Sequence, residues 1–262
     1  RFEIQRTSQE KPFRMSVQDV YKFSKDGDNR RIIAGTIDTG VIKLGDSVVF
    51  YPSGKKSRVL TIEEFNKQPQ SIKRAADHFG MTLEEQIYIK RGEIVTINGQ
   101  PKPEVSTRIK ANIFWLGNKP MVKDKEYFIK VGTQKVRTFL EAIHMVMDAS
   151  TLNRVEKNRV DRNDIAEITL KTEKAIAFDL PGTISQTSRF VIVDEYEITG
   201  GGTITSSEND QQDWIRNKVL TRNYKWIKSA ISKERRAEKY SQKPTLILIT
   251  GEKSTKRKEI AK

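Results

Sequence analysis

Near the end of this 262-residue sequence the apolar run LILI at 246–249 leads into Thr250-Gly251, with Lys253, Ser254 and Thr255 close behind. A buried strand running into a glycine and then Lys-Ser-Thr is how a phosphate-cradling loop begins. Such a loop aims backbone N–H groups, a lysine and a hydroxyl at the anion. The working pattern is G-x-x-x-x-G-K-[ST]. Counted from Gly251, the second glycine falls on Lys256, the lysine on Arg257 and the hydroxyl on Lys258. The glycine that lets the backbone turn and the hydroxyl that holds Mg²⁺ are both missing. Sliding the register to Lys253-Ser254-Thr255 leaves only Glu252 after Gly251, too little chain to wrap a phosphate. Gly251, Lys256, Arg257 and Lys258 thus occupy a nucleotide loop's place without its chemistry. A basic helix N-terminus there can still attract an anion.

Other chemistry is sparse. There are no cysteines, which removes disulfides, thiolate nucleophiles and cysteine-ligated metal. His78 and His144 each sit beside apolar residues, in DHFGM and AIHMVM, and are expected to be packed residues rather than ligands. Adjacent carboxylates, Glu63/Glu64 and Glu84/Glu85, point to opposite faces of a strand and cannot share one substrate atom, so solvated surface is the expectation. Trp115, in a strand run, is expected in the core. Trp214 and Trp226 lie about 120° apart on a helix at 100° per residue, so one is expected to pack and the other to be partly exposed. No residue is assigned a catalytic or metal-binding role.

The elements that must position these residues are mostly strands. With 36% apolar and 31% charged residues, the chain is polar but not depleted enough to be disordered. No stretch approaches 18 apolar residues, so no helix is expected to span a membrane. FRMSVQDVYKF alternates through Met15, Val17, Val20 or Tyr21, and Phe23. SKDGDNRR, with Gly27, is a charged turn. Gly35, Gly40, Gly45 and Gly54 each predict a turn or bulge between β-branched runs, and PSGKK predicts a hairpin turn. EEFNKQPQSIKRAADHFGMTLEE mixes polar turns with short apolar pairs, and RGEIVTING gives one more strand. QPKPEVS, with two prolines, has the look of a linker, placing a domain boundary near residue 102. A second β set follows in TRIKANIFWL, EYFIKVGTQKVRTFLEAIHMVM, IAEITLKTEKAIAF and RFVIVDEYEITGGGTI. Many short strands at close spacing mean barrels or sandwiches. The triple glycine Gly200-Gly201-Gly202 predicts a close backbone approach or a bend with unusual φ.

After Thr205 the character changes. Ile215, Val219, Trp226/Ile227 and Ala230/Ile231 recur at near-helical spacing behind the N-cap candidates of SSEND, predicting a helix or helix pair over about 209–240. SQKP ends it. The formal charge is +14, and residues 206–262 carry 15 Lys and Arg against 7 Asp and Glu, more than half of that excess in a fifth of the chain. A basic surface of this kind suits nucleic acid, an anionic nucleotide or an acidic protein, or is simply a solvated helix.

Taken in order, PFRMSVQDV, AGTIDTGVIKLGDSVVFYPSGKKSRVLTIEEF, GMTLEEQIYIKRGEIV, KANIFWLGNKPM, YFIKVGTQKV, AIAFD and RFVIVDEYEITGGGTI resemble the two β-barrels that follow the GTPase domain in translation-factor-like proteins. The nearest resemblance, over residues 12–205, is to the GTPase-type large subunit of bacterial ATP sulfurylase. It implies a mainly β architecture: a first antiparallel barrel at 1–102, a second at 103–205, a basic helical linker at 206–243, and the first strand of an α/β, kinase-like domain at 244–262. Many such subunits are fused to adenylylsulfate kinase, and ISKERRAEKYSQKPTLILITG looks like that domain's lead-in, here with a degenerate loop.

The resemblance further implies that GTP and Mg²⁺ belong to a domain upstream of Arg1, and that ATP, if bound, belongs to the kinase-like domain. Adenylyl transfer falls to a separate small catalytic subunit, so this stretch is expected to be inactive alone. The expected partners are that small subunit, the upstream GTPase domain and the downstream kinase-like domain, in the cytoplasm. The chain reads as an internal piece of a longer protein. The competing reading is a pair of RNA- or tRNA-binding barrels, as in elongation factor Tu. Against it, the charge excess lies in the tail, and no dense aromatic-plus-arginine strand pattern is present.

Overall fold

In the computed structural model, which describes residues 9–22, 30–64, 68 and 70–208, the first strand, β1 (Arg14–Lys22), resolves the ambiguity left by its sequence. Val17 pairs with Gly35 and Asp19 with Ala34, so Gln18 is an extra residue bulged out of the ladder. A bulge shifts the inside-outside phase by one. Val20 therefore packs against the core and Tyr21 is exposed.

β2 (Arg31–Thr39), β3 (Val41–Lys43), β4 (Ser47–Tyr51), β5 (Lys55–Glu63), β6 (Ile72–Arg74), β7 (His78–Leu83) and β8 (Ile94–Ile97) follow. Six strands close a barrel in the order β1-β2-β7-β5-β4-β8, while β3 and β6 form a two-stranded ribbon. Its core includes Phe13, Met15, Ile37, Phe50, Ile62, Met81 and Val95. The PSGKK turn joins β4 to β5, with Gly54 at φ +68°, a conformation that β-carbon sterics disfavour. Gly35 corrects the turn-or-bulge expectation. It lies inside β2, and a Cβ there would meet the Ser16 carbonyl at 2.4 Å, so the glycine admits a neighbouring strand. HFGMTL, which sequence left among the polar turns, is β7, paired on both sides between β2 and β5.

The second sheet begins with β9 (Glu104–Trp115) and continues through β10 (Glu126–Val131), β11 (Gln134–Asp148), β12 (Arg154–Val155), β13 (Asp164–Phe178), β14 (Arg189–Asp194) and β15 (Glu197–Ser207). A four-residue helix, α1 (Ser185–Ser188), precedes β14. The strand order is β10-β14-β15-β9-β13-β11-β12, and β10 also pairs with β11, so six strands close a second ring and β12 is appended to it. Closure removes the free edges at which open sheets aggregate. Trp115 is fully buried, as its strand setting predicts. It meets Tyr127 edge-on at 5.9 Å, and its indole N–H donates to the Lys119 carbonyl at 2.9 Å.

All the described residues fall in one compact unit. QPKPEVS is only partly a connector, because β9 already starts at Glu104, and β15 runs two residues past Thr205. The expected helix at 209–240, Gly27, Phe23, Trp214, Trp226 and the tail with Gly251, Lys256, Arg257 and Lys258 lie outside the described residues.

The triple glycine makes the close approach without the unusual φ expected of it, since none of the three has a positive φ. Gly200, Gly201 and Gly202 pair across to Trp115, Phe114 and Ile113. A Cβ on Gly202 would stand 1.9 Å from the Asn112 carbonyl oxygen. Gly202→Ala is expected to cost about 2–3 kcal/mol, the upper range for forced overpacking, measured by denaturant unfolding. A loss below about 0.5 kcal/mol, within the usual range for harmless substitutions, would mean the strands have room.

Candidate functional site

The described part has two regions with organised polar chemistry: a seam between the barrels and the outer wall of the second barrel. The seam is built around Arg14 and Asp179, with side chains 0% and 3% exposed. Arg14 enters at the start of β1, between the core residues Phe13 and Met15. Asp179 follows Phe178 at the end of β13. The pair is bidentate: Nε donates to Oδ2 and Nη2 to Oδ1, each at 2.9 Å. Arg14 also donates to the carbonyls of Phe13 (3.0 Å) and Pro101 (2.8 Å). The Thr187 hydroxyl, in α1, donates to Asp179 Oδ2 at 2.6 Å. A buried charge pair pays a large desolvation cost and is tolerated only when geometry and further hydrogen bonds are this complete.

The β10–β11 hairpin makes the second contact. Thr133 donates from its hydroxyl to the Val17 carbonyl at 2.7 Å, and a Cβ on Gly92 would lie 3.1 Å from the Gln134 Cα. The Gln134 amide donates to the Ala177 carbonyl (2.7 Å) and accepts from the Ala177 N–H (3.1 Å), tying the hairpin to the strand that carries Asp179. Ser16 donates to Asp38 at 3.0 Å. Burial raises the Asp38 carboxyl above its ordinary value. The Ser16 hydrogen bonds oppose that, and the Asp179 charge adds to it.

On the outer wall, Arg108 bridges Glu141 (2.8 Å) and Glu208 (3.5 Å), and Lys110 pairs with Glu167. Lys110 holds the Glu167 carboxyl below its ordinary value, with smaller help from His144 and Arg154. A groove of about 1080 Å³ lies beside this ladder, lined by residues of β11, β12, the loop after β12 and β13, among them His144, Arg154, Lys157 and Glu167. Lys157 is spanned by Asp161 (3.0 Å) and Asp164 (2.9 Å). The groove lining sets Arg154, Lys157 and Arg159 against Glu156, Asp161 and Glu167.

Several expectations change here. His78 and His144 are exposed, not packed, because their apolar neighbours take the inward positions of the strand alternation. His78 hydrogen-bonds Thr36 (2.7 Å) and His144 bonds Thr169 (2.8 Å). Glu63 and Glu64 are half-buried and ion-paired rather than solvated, Glu63 with Arg30 at 3.0 Å and Glu64 with the buried Lys73. Glu84 does match the surface reading, 3.9 Å from Arg58 with both side chains exposed. Arg14 and Asp179 lie within PFRMSV and AIAFD, and the sequence alone does not pair them. The available signal was a charge set among residues whose alternation points inward.

Arg14→Met alone is expected to destabilise by about 3–5 kcal/mol, since Asp179 would be left buried and unpaired. Adding Asp179→Leu should recover much of the loss in the same unfolding assay. A double variant as unstable as the sum of the single ones would refute the pairing. For Asp38 the folded carboxyl binds its proton more tightly than the unfolded one. Its stabilising contribution is therefore full below the ordinary carboxylate value of 3.8 and declines as pH rises through the raised folded value. Asp38→Asn, which keeps an acceptor for Ser16, should gain stability relative to the parent as pH rises from 4 to 7. Parallel stability curves would contradict burial as the cause.

Comparison with known proteins agrees with this architecture. Residues 108–205 match the GTP-eEF1A C-terminal domain-like family. Sulfate adenylyltransferase subunit 1 of Aliarcobacter butzleri is 31% identical over 76% of this chain and 42% of its own length. The protein of the same name from Shewanella oneidensis is 35% identical over 70% of this chain and 38% of its own. The chain therefore spans about two fifths of these curated relatives. Among solved structures, Sup35 complexed with GDP superposes with a TM-score of 0.68 at 17% identity, over 77% of this chain and 48% of that one, which bears on fold alone. Two closed barrels in this order thus accompany similarity to sulfate adenylyltransferase subunit 1 proteins over most of the chain, and the second barrel carries the match to the GTP-eEF1A C-terminal domain-like family.

Proposed function

We propose that this chain is the non-catalytic β-barrel portion of a GTP-dependent sulfate adenylyltransferase large subunit, acting in sulfate activation. The observation that carries the reading is the similarity to subunit 1 proteins across most of the chain. The seam supports the role: two barrels joined by a bidentate buried ion pair and a docked hairpin suit a part that transmits position rather than one that changes shape. In this reading GTP and Mg²⁺ bind an upstream domain, and the barrels at 1–102 and 103–205 present a surface to the small catalytic subunit. Residues 244–262 open a fused kinase-like domain whose altered loop, with Lys256, Arg257 and Lys258, weakens or abolishes ATP binding.

Calorimetry on the full-length parent, offering GTP, ATP and adenylylsulfate separately, tests the nucleotide assignments. GTP binding retained when residues from 206 onward are deleted places it upstream. ATP or adenylylsulfate binding lost in that deletion would mean the kinase-like loop works despite its departures. The subunit reading predicts that the parent co-purifies with an ATP sulfurylase small subunit. A parent that binds tRNA and neither GTP nor the small subunit would replace it with the RNA-binding alternative.

A further inference from the structure

Where the two barrels meet, basic residues from both stand together, and none of them forms a salt bridge among the described residues. On the β10–β11 hairpin Lys130 and Lys135 are direct cross-strand partners on the outer face, both exposed. Like charges directly opposite on a sheet repel. From the first barrel, Lys90 and Arg91 are exposed on the loop whose Gly92 packs on Gln134. Arg91 and Lys135 each stand one residue from that contact, so their Cα atoms lie within about 12 Å, at 3.8 Å per peptide step. Among the described residues, none of these four side chains forms a salt bridge. The carboxylate near Lys90 is Glu93, which is buried, accepts hydrogen bonds from the Ser53 hydroxyl (2.5 Å) and the Lys90 N–H (3.2 Å), and feels the charges of Lys55 and Lys90 without forming a salt bridge to either. Elsewhere on the second barrel some cations have close carboxylates, as Arg108, Lys110, Lys125 and Lys157 do, whereas others, such as the exposed Lys123 and Lys174, form no salt bridge among the described residues. What sets this group apart is its placement: two of its lysines face each other across one hairpin, and the loop that carries Lys90 and Arg91 packs against that hairpin.

Two aromatic rings accompany the group, and each is covered by ammonium groups. Lys135 lies 4.3 Å over Phe128, while Lys55 and Lys90 lie 5.5 and 5.7 Å over the exposed Tyr88. A single-stranded nucleic acid needs open ring faces on which to stack its bases. Covered rings, and cations held at fixed separation by the seam, favour a folded protein surface bearing carboxylates.

We infer that the patch of Lys90, Arg91, Lys130 and Lys135 is a docking surface for an acidic face of the small catalytic subunit. This rests on the subunit reading above. Docking would use both barrels at once, so the seam sets the spacing of the cations that the partner reads.

The test is small-subunit binding to the full-length parent, measured at several salt concentrations, with Lys130→Glu/Lys135→Glu, Lys90→Glu/Arg91→Glu and, as a charge-matched control, the exposed pair Lys171→Glu/Lys174→Glu. Because the two paired variants sit on different barrels, a folding defect in one does not remove the other. Each is expected to weaken binding at least tenfold and flatten its salt dependence, with the control and GTP binding unchanged. Unchanged small-subunit binding in the paired variants would overturn the patch while leaving the subunit reading standing. Failure of the parent itself to bind would overturn both. A loss confined to binding of a single-stranded RNA oligonucleotide would assign the patch to nucleic acid instead.

Discussion

The structure depends first on one buried ion pair. Arg14 and Asp179 belong to different barrels, separated by 165 positions in sequence, and each is fully desolvated. Neither charge could stand there alone, because an unpaired buried charge costs several kcal/mol. The relative placement of the barrels is thus conditional on a geometry in which both guanidinium edges and both carboxylate oxygens are used. Thr187 and the carbonyls of Phe13 and Pro101 complete the set. That α1 exists as a four-residue turn is understandable here, since it delivers Thr187 to the carboxylate.

The pair alone would leave a pivot. The hairpin contact removes it: Thr133 on the Val17 carbonyl and Gly92 against Gln134 fix a second point on the same two barrels. Gln134 then ties the hairpin back to Ala177, two residues before Asp179. The two contacts are parts of one connected network, so a disturbance at either reaches the other. If the barrels transmit position as proposed, nucleotide-driven motion would be taken up at boundaries outside this pair, since a packed interface of this kind is not continuously deformable.

Much of the fold was legible because strand alternation is a local property. The second β set in particular falls where its apolar periodicity places it. What was not legible depends on partners. The phase of β1 after Val17 is decided by a bulge at Gln18, which only pairing with β2 reveals. β7 escaped because HFGMTL is short and flanked by polar residues, while its stability comes from two neighbouring strands. Glu63 and Glu64 looked solvated because their cations, Arg30 and Lys73, lie on other elements. The seam was hidden for the same reason. A single arginine among apolar residues signals burial, but its partner is named only by the fold.

Charge shows the same dependence at the scale of the surface. Residues 1–205 carry a modest excess of 33 Lys and Arg over 27 Asp and Glu, which by itself suggests an evenly solvated exterior. The fold sorts those residues. The wall formed by β9, β11 and β13 interleaves Arg108, Glu141, Lys110 and Glu167 into a nearly neutral ladder. The hairpin that begins β11 sets Lys130 against Lys135, and neither forms a salt bridge among the described residues. Two surfaces of similar composition thus differ in electrostatic character, one with its charges paired and one with like charges set face to face. Composition could not separate them, because the distinction is one of register: the strand pairing decides whether a lysine faces a glutamate or another lysine.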